Sequence, residues 1–268
     1  MTACLERLQA MMLRYLYLHR RSLPRTLEIL FWPVMELLVW GFVSVYIRSL
    51  SPTTLTHIIL VLINAMIFWD ILYRGQQAVS IAIVEDIWTQ NIVNILVSPL
   101  KIWEWLLATF LYGLLKITLI TTILSLIAYA LYQFNLIDSL GFYLLPLVFN
   151  LLLFGWAMGV FTSALIIRWG HSAEALVWGV PYLLQPLSAI YYPLSVLPEW
   201  MQWISRCLPS TYVFEGMRRV TETKTLPAEY FWIALGLNAV YFILGGLFFS
   251  AMYRSARRSG RLGRLGMD

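Results

Sequence analysis

The sequence predicts an all-α polytopic membrane protein with six transmembrane helices, and three observations lead there. Hydrophobic residues make up 60% of the 268 and charged residues only 12%, against about 25% charge in a soluble domain. Apolar runs close to the ~20 residues that cross a bilayer recur along the chain. Lys and Arg collect in alternate connecting segments, which fixes an orientation. The two cysteines, Cys4 and Cys207, fall on opposite sides of the membrane in this topology. They offer neither a disulfide framework nor a metal-spaced cluster, and no metal site is expected.

Residues 1–26 form a cytoplasmic amphipathic segment. Arg7, Arg14 and Arg21 recur every seven residues along one helix face, with Leu5, Leu8, Met12, Tyr15 and Leu16 largely on the other. Such a helix lies in the headgroup layer with its cations towards anionic lipid; a helix packed on another protein fits the same pattern. Arginines also interrupt the apolar core that a cleavable signal peptide would need. The membrane domain, residues 27–254, then holds spans at about Leu27–Tyr46, His57–Ala78, Trp105–Tyr132, Phe142–Ile167, Ala173–Ile190 and Phe231–Tyr253. With both termini inside, thirteen of the 19 Lys and Arg are cytoplasmic, Arg74 among them; five are outside and Lys116 is within a span. The expected location is a bacterial-type inner (plasma) membrane. Residues 255–268 are a basic cytoplasmic tail suited to anionic lipid.

Two connecting stretches are more informative than the spans. Between the second and third, residues 83–101 read IVEDIWTQNIVNILVSPLK. Glu85 and Asp86 suit the first turn of a short helix over about 85–98, where the helix dipole favours acids. Ile87, Trp88, Ile92, Ile95 and Leu96 give it an apolar face, and Pro99 stops it. Between the fifth and sixth spans, residues 191–224 are broken by Pro193, Pro198 and Pro209, each lacking a backbone donor. Residues 197–208 and 210–224 suffice for two short helices, the first rich in aromatic residues such as Trp200 and Trp203. Together they predict a re-entrant pair dipping into the outer edge of the bilayer, a conformation tolerated only where protein or a wet cavity satisfies the backbone.

The order Tyr-Pro-Leu at 192–194, Leu-Pro-Glu-Trp at 197–200, Leu-Pro-Ser-Thr-Tyr at 208–212 and Glu-Gly-Met-Arg at 215–218 resembles the re-entrant segment of type-2 ABC (ATP-binding cassette) exporter permeases. The acidic residue, short helix and Leu-Val-Ser-Pro exit at 85–99 are similar to that family's coupling helix. Here Glu85-Asp86 follows an apolar Ile-Ala-Ile-Val, where the family more often has an Arg–Glu pair. The resemblance covers nearly the whole chain and implies half of a transport pathway. It further implies a second permease copy, a homodimer or a heterodimer with a related chain, and two copies of a separate ATPase subunit. That subunit would bind ATP and Mg and be coupled through Glu85, Asp86, Trp88, Asn91, Asn94 and Ser98. The substrates implied are lipid-like, lipid-linked glycan or other amphipathic molecules, carried outwards.

The chain holds no G-x-x-x-x-G-K-[ST] phosphate loop and no His-Glu-x-x-His or Gly-x-Ser-x-Gly. Its three histidines are scattered, so no catalytic residues are expected and the chain itself binds no cofactor. No nucleic-acid partner is expected; membrane lipids are. Glu36, Asp70 and Lys116 interrupt apolar spans, and such charges pair or face a cavity. Lys116 is expected to pair with Glu36 or Asp70, either as part of the transport path or as a static packing pair. A secondary transporter or channel using those three charges as a relay is the competing class. At the outer end, Tyr191, Tyr192 and Pro193 are gate candidates, followed by Pro198, Trp200, Trp203, Pro209 and Tyr212 of the re-entrant pair.

Overall fold

The structure, a computed structural model, describes residues 2–20, 23–50 and 56–259. Arg21 of the amphipathic stripe, the first loop and the tail from Gly260 onward lie outside the described residues, as do the side chains of Leu96 and the three histidines. Among the described residues all regular structure is helical. In order these are α1 (Thr2–Arg20), α2 (Leu23–Leu50), α3 (Thr56–Trp88), α4 (Ile92–Val97), α5 (Ile102–Tyr132) and α6 (Leu136–Leu140). They are followed by α7 (Leu144–Trp169), α8 (Ala175–Leu187), α9 (Glu199–Arg206), α10 (Pro209–Thr223) and α11 (Ala228–Arg258).

Four stretches are long and apolar enough to cross a membrane: Ile29–Tyr46, Ile102–Tyr132, Leu136–Trp169 and Ala228–Arg258. The other two expected spans differ from these. α3 is 33 residues long, roughly 50 Å at 1.5 Å per residue, but Asp70, Arg74, Glu85 and Asp86 break its apolar character. It also continues ten residues past Ala78, where the second span was expected to end. α8 has only 13 residues, about 20 Å of helix against a hydrocarbon layer of about 30 Å. Pro181 and Pro186 sit inside it.

The bundle is built around α7. Its apolar stretch is 56% buried, against 22% for those of α2, α5 and α11, and α3 is buried over most of its length as well, so α7 and α3 form the centre and the others their wall. α3 and α11 pack along α7. Small residues bring α3 and α7 together: a Cβ on Gly155 would lie 2.7 Å from Leu72 O and 3.0 Å from Gln76 N. Only glycine permits that backbone approach, the usual device where lipid gives helices no hydrophobic reason to associate. Polar side chains secure the same seam. Gln76 Nε2 donates to Thr162 Oγ1 at 3.0 Å and to Val177 O at 3.3 Å, and Ser80 and Thr162 share a 2.6 Å hydrogen bond. Asn238 Nδ2 donates to Asn150 O and Oδ1 at 3.0 Å across the α7–α11 seam.

Buried hydrophobic residues form two clusters. One holds Phe68, Ile71, Leu124, Phe154 and Phe214. The other, at the α4 end, holds Tyr15, Ile83, Ile87, Ile92, Trp105 and Ile167. The second includes α1, so the amphipathic helix is part of the core. Two of its cations pair with carboxylates of the bundle. Arg7 forms a two-point pair with Glu104, at 2.9 and 2.6 Å, and Arg14 pairs with Asp86. The carboxylates that receive them, on α5 and α3, are buried and lie on the surface that also receives Met11 and Tyr15.

Candidate functional site

A cavity of about 850 Å³ opens between α2, α3, α5 and α8, large enough for a drug-sized molecule. Along α3 its lining runs from Trp69 to Trp88, about 28 Å of helix. The sequence places its side chains by helical spacing. Trp32, Glu36 and Trp40 are four residues apart on α2, Trp69 and Tyr73 on α3, and Trp178 and Tyr182 on α8, so each set shares a face. Trp69, Tyr73 and Tyr182 meet there, with ring centroids 5.7–6.3 Å apart.

The three intramembrane charges all line this cavity, together with Arg74 and Glu85. The pairing differs from expectation. Arg74 Nε donates to both Asp70 oxygens at 2.9 Å. The Lys116 ammonium lies 5.4 Å from the Tyr112 ring centroid, and among the described residues no ion pair joins it to Glu36 or Asp70. A partner one turn away on the same helix needs no tertiary alignment, and Arg74 is that partner for Asp70. Arg74 had been counted as cytoplasmic; because α3 runs on to Trp88, it lies well inside the helix.

The link between the second and third expected spans is also rearranged. Glu85 and Asp86 do not begin the short helix; they end α3. The chain then turns at Gln90, whose φ is 53°, and α4 spans only Ile92–Val97. Asn91 stands at its start, with Asn94 Nδ2 donating to Asn91 Oδ1 at 3.1 Å. Ser98 closes it in extended backbone before Pro99, its Oγ donating to Ile95 O at 2.7 Å. Ile87, Ile92 and Ile95 are buried while Trp88 and Val97 are exposed; Trp88 Nε1 donates to Glu174 Oε2 at 3.2 Å. A smaller cavity of about 320 Å³ separates α4 from Arg7, Met11 and Arg14 of α1. The Tyr15 phenol at this seam accepts from Trp105 Nε1 at 3.0 Å; burial, with the Asp86 charge beside it, pushes its pKa up. The hydrogen bond to Glu104 likewise holds the Arg7 guanidinium above its ordinary value.

At the other end, the two short helices are present as α9 and α10, with Pro198 just before the first and Pro209 opening the second. Tyr191 stacks on Trp40 at 4.9 Å, which joins it to the cavity wall. Tyr192 OH donates to Pro186 O at 2.6 Å, and Pro193 leads in extended backbone into a short 3-10 turn. Trp200 and Trp203 are exposed, the latter under Arg206 at 5.3 Å. Tyr212 OH donates to Arg206 O at 3.0 Å.

Sequence reasoning missed the residue that holds this end together. Arg218 is buried and donates to the carbonyls of Ala189, Ile190 and Tyr192, while Glu215 accepts from Leu194 N. The Glu215–Arg218 spacing of three was the only local signal. Lys224 does a similar task for α6, donating to Asp138 O and Ser139 O.

A family model described as ABC-2 type transporter matches residues 11–221, most of the chain. No curated protein matches it.

Proposed function

The chain belongs to the ABC-2 type transporter family, and from that premise we propose that it is the permease half of an ATP-driven exporter for an amphipathic substrate. It is a multi-pass membrane subunit rather than a catalyst. In this reading a separate ATPase subunit binds ATP and Mg and docks at α4 in two copies. A second permease copy completes the pathway, both termini are cytoplasmic, and cargo leaves past α9 and α10. The lipid-like and lipid-linked glycan classes fall within the same reading, since the cavity offers both apolar walls and charges.

One observation carries it. α3 is unbroken from Thr56 to Trp88, so the helix that forms the longest wall of the cavity is also the helix that ends at α4. A push on α4 acts on a rod whose cavity-lining residues include Asp70, Arg74 and Trp69. Helices transmit such displacement because packed interfaces shift between discrete arrangements rather than deform continuously. By contrast, Asp70 and Lys116 are engaged by Arg74 and Tyr112, which does not favour an ion relay.

The test is a mild-detergent pull-down from native membranes, followed by mass spectrometry and an ATPase assay. A stoichiometric phosphate-loop ATPase is expected. It should be lost in the Asn94→Arg/Val97→Asp double variant, whose positions are exposed, without loss of monodisperse permease. Recovery of the chain alone, with flux driven by an ion gradient after reconstitution, would overturn the proposal.

A further inference from the structure

The cavity's charges and rings are arranged for one sign of ligand. Its lining holds three carboxylates, Glu36, Asp70 and Glu85, against two cations, Arg74 and Lys116. Arg74 already occupies both oxygens of Asp70, and Lys116 is directed at the Tyr112 ring. Glu36 is different: among the described residues it makes no hydrogen bond and no ion pair. It stands on α2 midway between Trp32 and Trp40, one turn from each, and both rings line the same cavity. Facing them are Trp69, Tyr73 and Tyr182, three rings within 5.7–6.3 Å of one another.

Aromatic faces carry negative potential and attract cations, best of all large, weakly hydrated ones. A carboxylate among such faces reinforces that preference and repels an anion. A phosphate or carboxylate headgroup would find Arg74 held by Asp70 and would have the Lys116 ammonium, resting over Tyr112, set against the charges of Glu36 and Glu85 in the same lining.

We propose that this cavity binds an amphipathic organic cation, a protonated amine or quaternary ammonium on an apolar body, with Glu36 as counter-charge and Trp40, Trp69, Tyr73 and Tyr182 as its walls. The ligand's identity as cargo rests on the transport reading above; its binding does not.

The experiment uses the full chain in lipid nanodiscs and tritiated tetraphenylphosphonium, with binding to empty nanodiscs subtracted. Tetraphenylborate, the same shape with the opposite charge, is the competitor. Saturable phosphonium binding that the borate does not displace is expected. Glu36→Gln should weaken it roughly tenfold or more, while Glu36→Asp keeps most of the affinity. Tyr182→Ala, at a ring that is 55% exposed, should weaken it several-fold.

An unchanged affinity in monodisperse Glu36→Gln overturns the proposal. So does displacement by the borate at equal or lower concentration, which would mark an anion site. If Glu36→Gln does not fold, Tyr182→Ala and the charge preference of the natural chain decide. Loss of the cation site with the ATPase still copurifying removes this inference alone. Cation binding without any ATPase partner removes the transport reading and leaves the site.

Discussion

Arg218 shows how much one buried cation organises. It is 7% exposed, and its guanidinium takes up three carbonyls of the turn after α8, where Ala189 has a φ of 51°. That turn is left-handed and cannot satisfy those groups by helix hydrogen bonds, so a fixed fork of donors from α10 does so instead. Arg218→Met keeps the bulk of the stem but leaves the three carbonyls without their donor and Glu215 with only Leu194 N. A loss of about 1.5–3 kcal/mol is expected, read as a lower melting temperature in detergent. Arg218→Lys should recover only part of it, because an ammonium lacks the planar fork. Equal stability of Met and Arg at this position would mean that water satisfies the turn.

At the scale of elements, α1 is fastened to the bundle by two arginine–carboxylate pairs, and the second relieves an electrostatic misfit. Glu85 and Asp86 sit in the last turn of α3, where the helix dipole disfavours acids. Asp86 is 1% exposed and Arg14 supplies its counter-charge. Arg14→Ala should therefore cost roughly 2 kcal/mol by stranding a buried carboxylate, whereas Arg14→Ala/Asp86→Asn should be more stable than Arg14→Ala alone. Thermal melts of the two variants decide; a double variant weaker than the single would mean that Asp86 needs no cation. The sequence announced α9 and α10 through Pro193, Pro198 and Pro209, because proline acts locally. It did not announce where α3 ends: Gln90 makes that break with a left-handed φ, and glutamine gives no such signal. The α1 pairs were illegible for another reason, since Arg7 and Glu104 lie 97 residues apart. Asp70–Arg74 was legible in its i,i+4 spacing, yet a more distant partner was favoured for the intramembrane charge. Of the cavity, the residues were visible as interruptions and aromatic spacing. Their convergence was not, because it depends on how four helices turn towards one another.

For the whole molecule, the number of crossings turns on α8, the shortest of the expected spans. Between Cys4 and Cys207 lie α2, α3, α5 and α7, which make four crossings in the proposed reading, and α8, which makes a fifth only if its 13 residues take the chain across. Contacts at its two ends argue that they do. Glu174, just before α8, bonds to Trp88 at the end of α3, near α4. The turn after α8 is held by Arg218 of α10, and α10 reaches the opposite part of α3 through the bond from Asn64 to Thr221. From Trp88 to Asn64 is about 36 Å along α3, more than the hydrocarbon thickness. The short helix is completed by its flanking turns, whose backbone Arg218 and Glu215 satisfy, as membrane depth requires. We therefore predict five crossings, which put the two cysteines on opposite sides. Cys207 is exposed and Cys4 partly so, so a membrane-impermeant maleimide on intact cells should label Cys207 alone, and Cys4 only after permeabilisation. Labelling of both from the same side would mean four crossings, and would place α9 and α10 on the same face as α4.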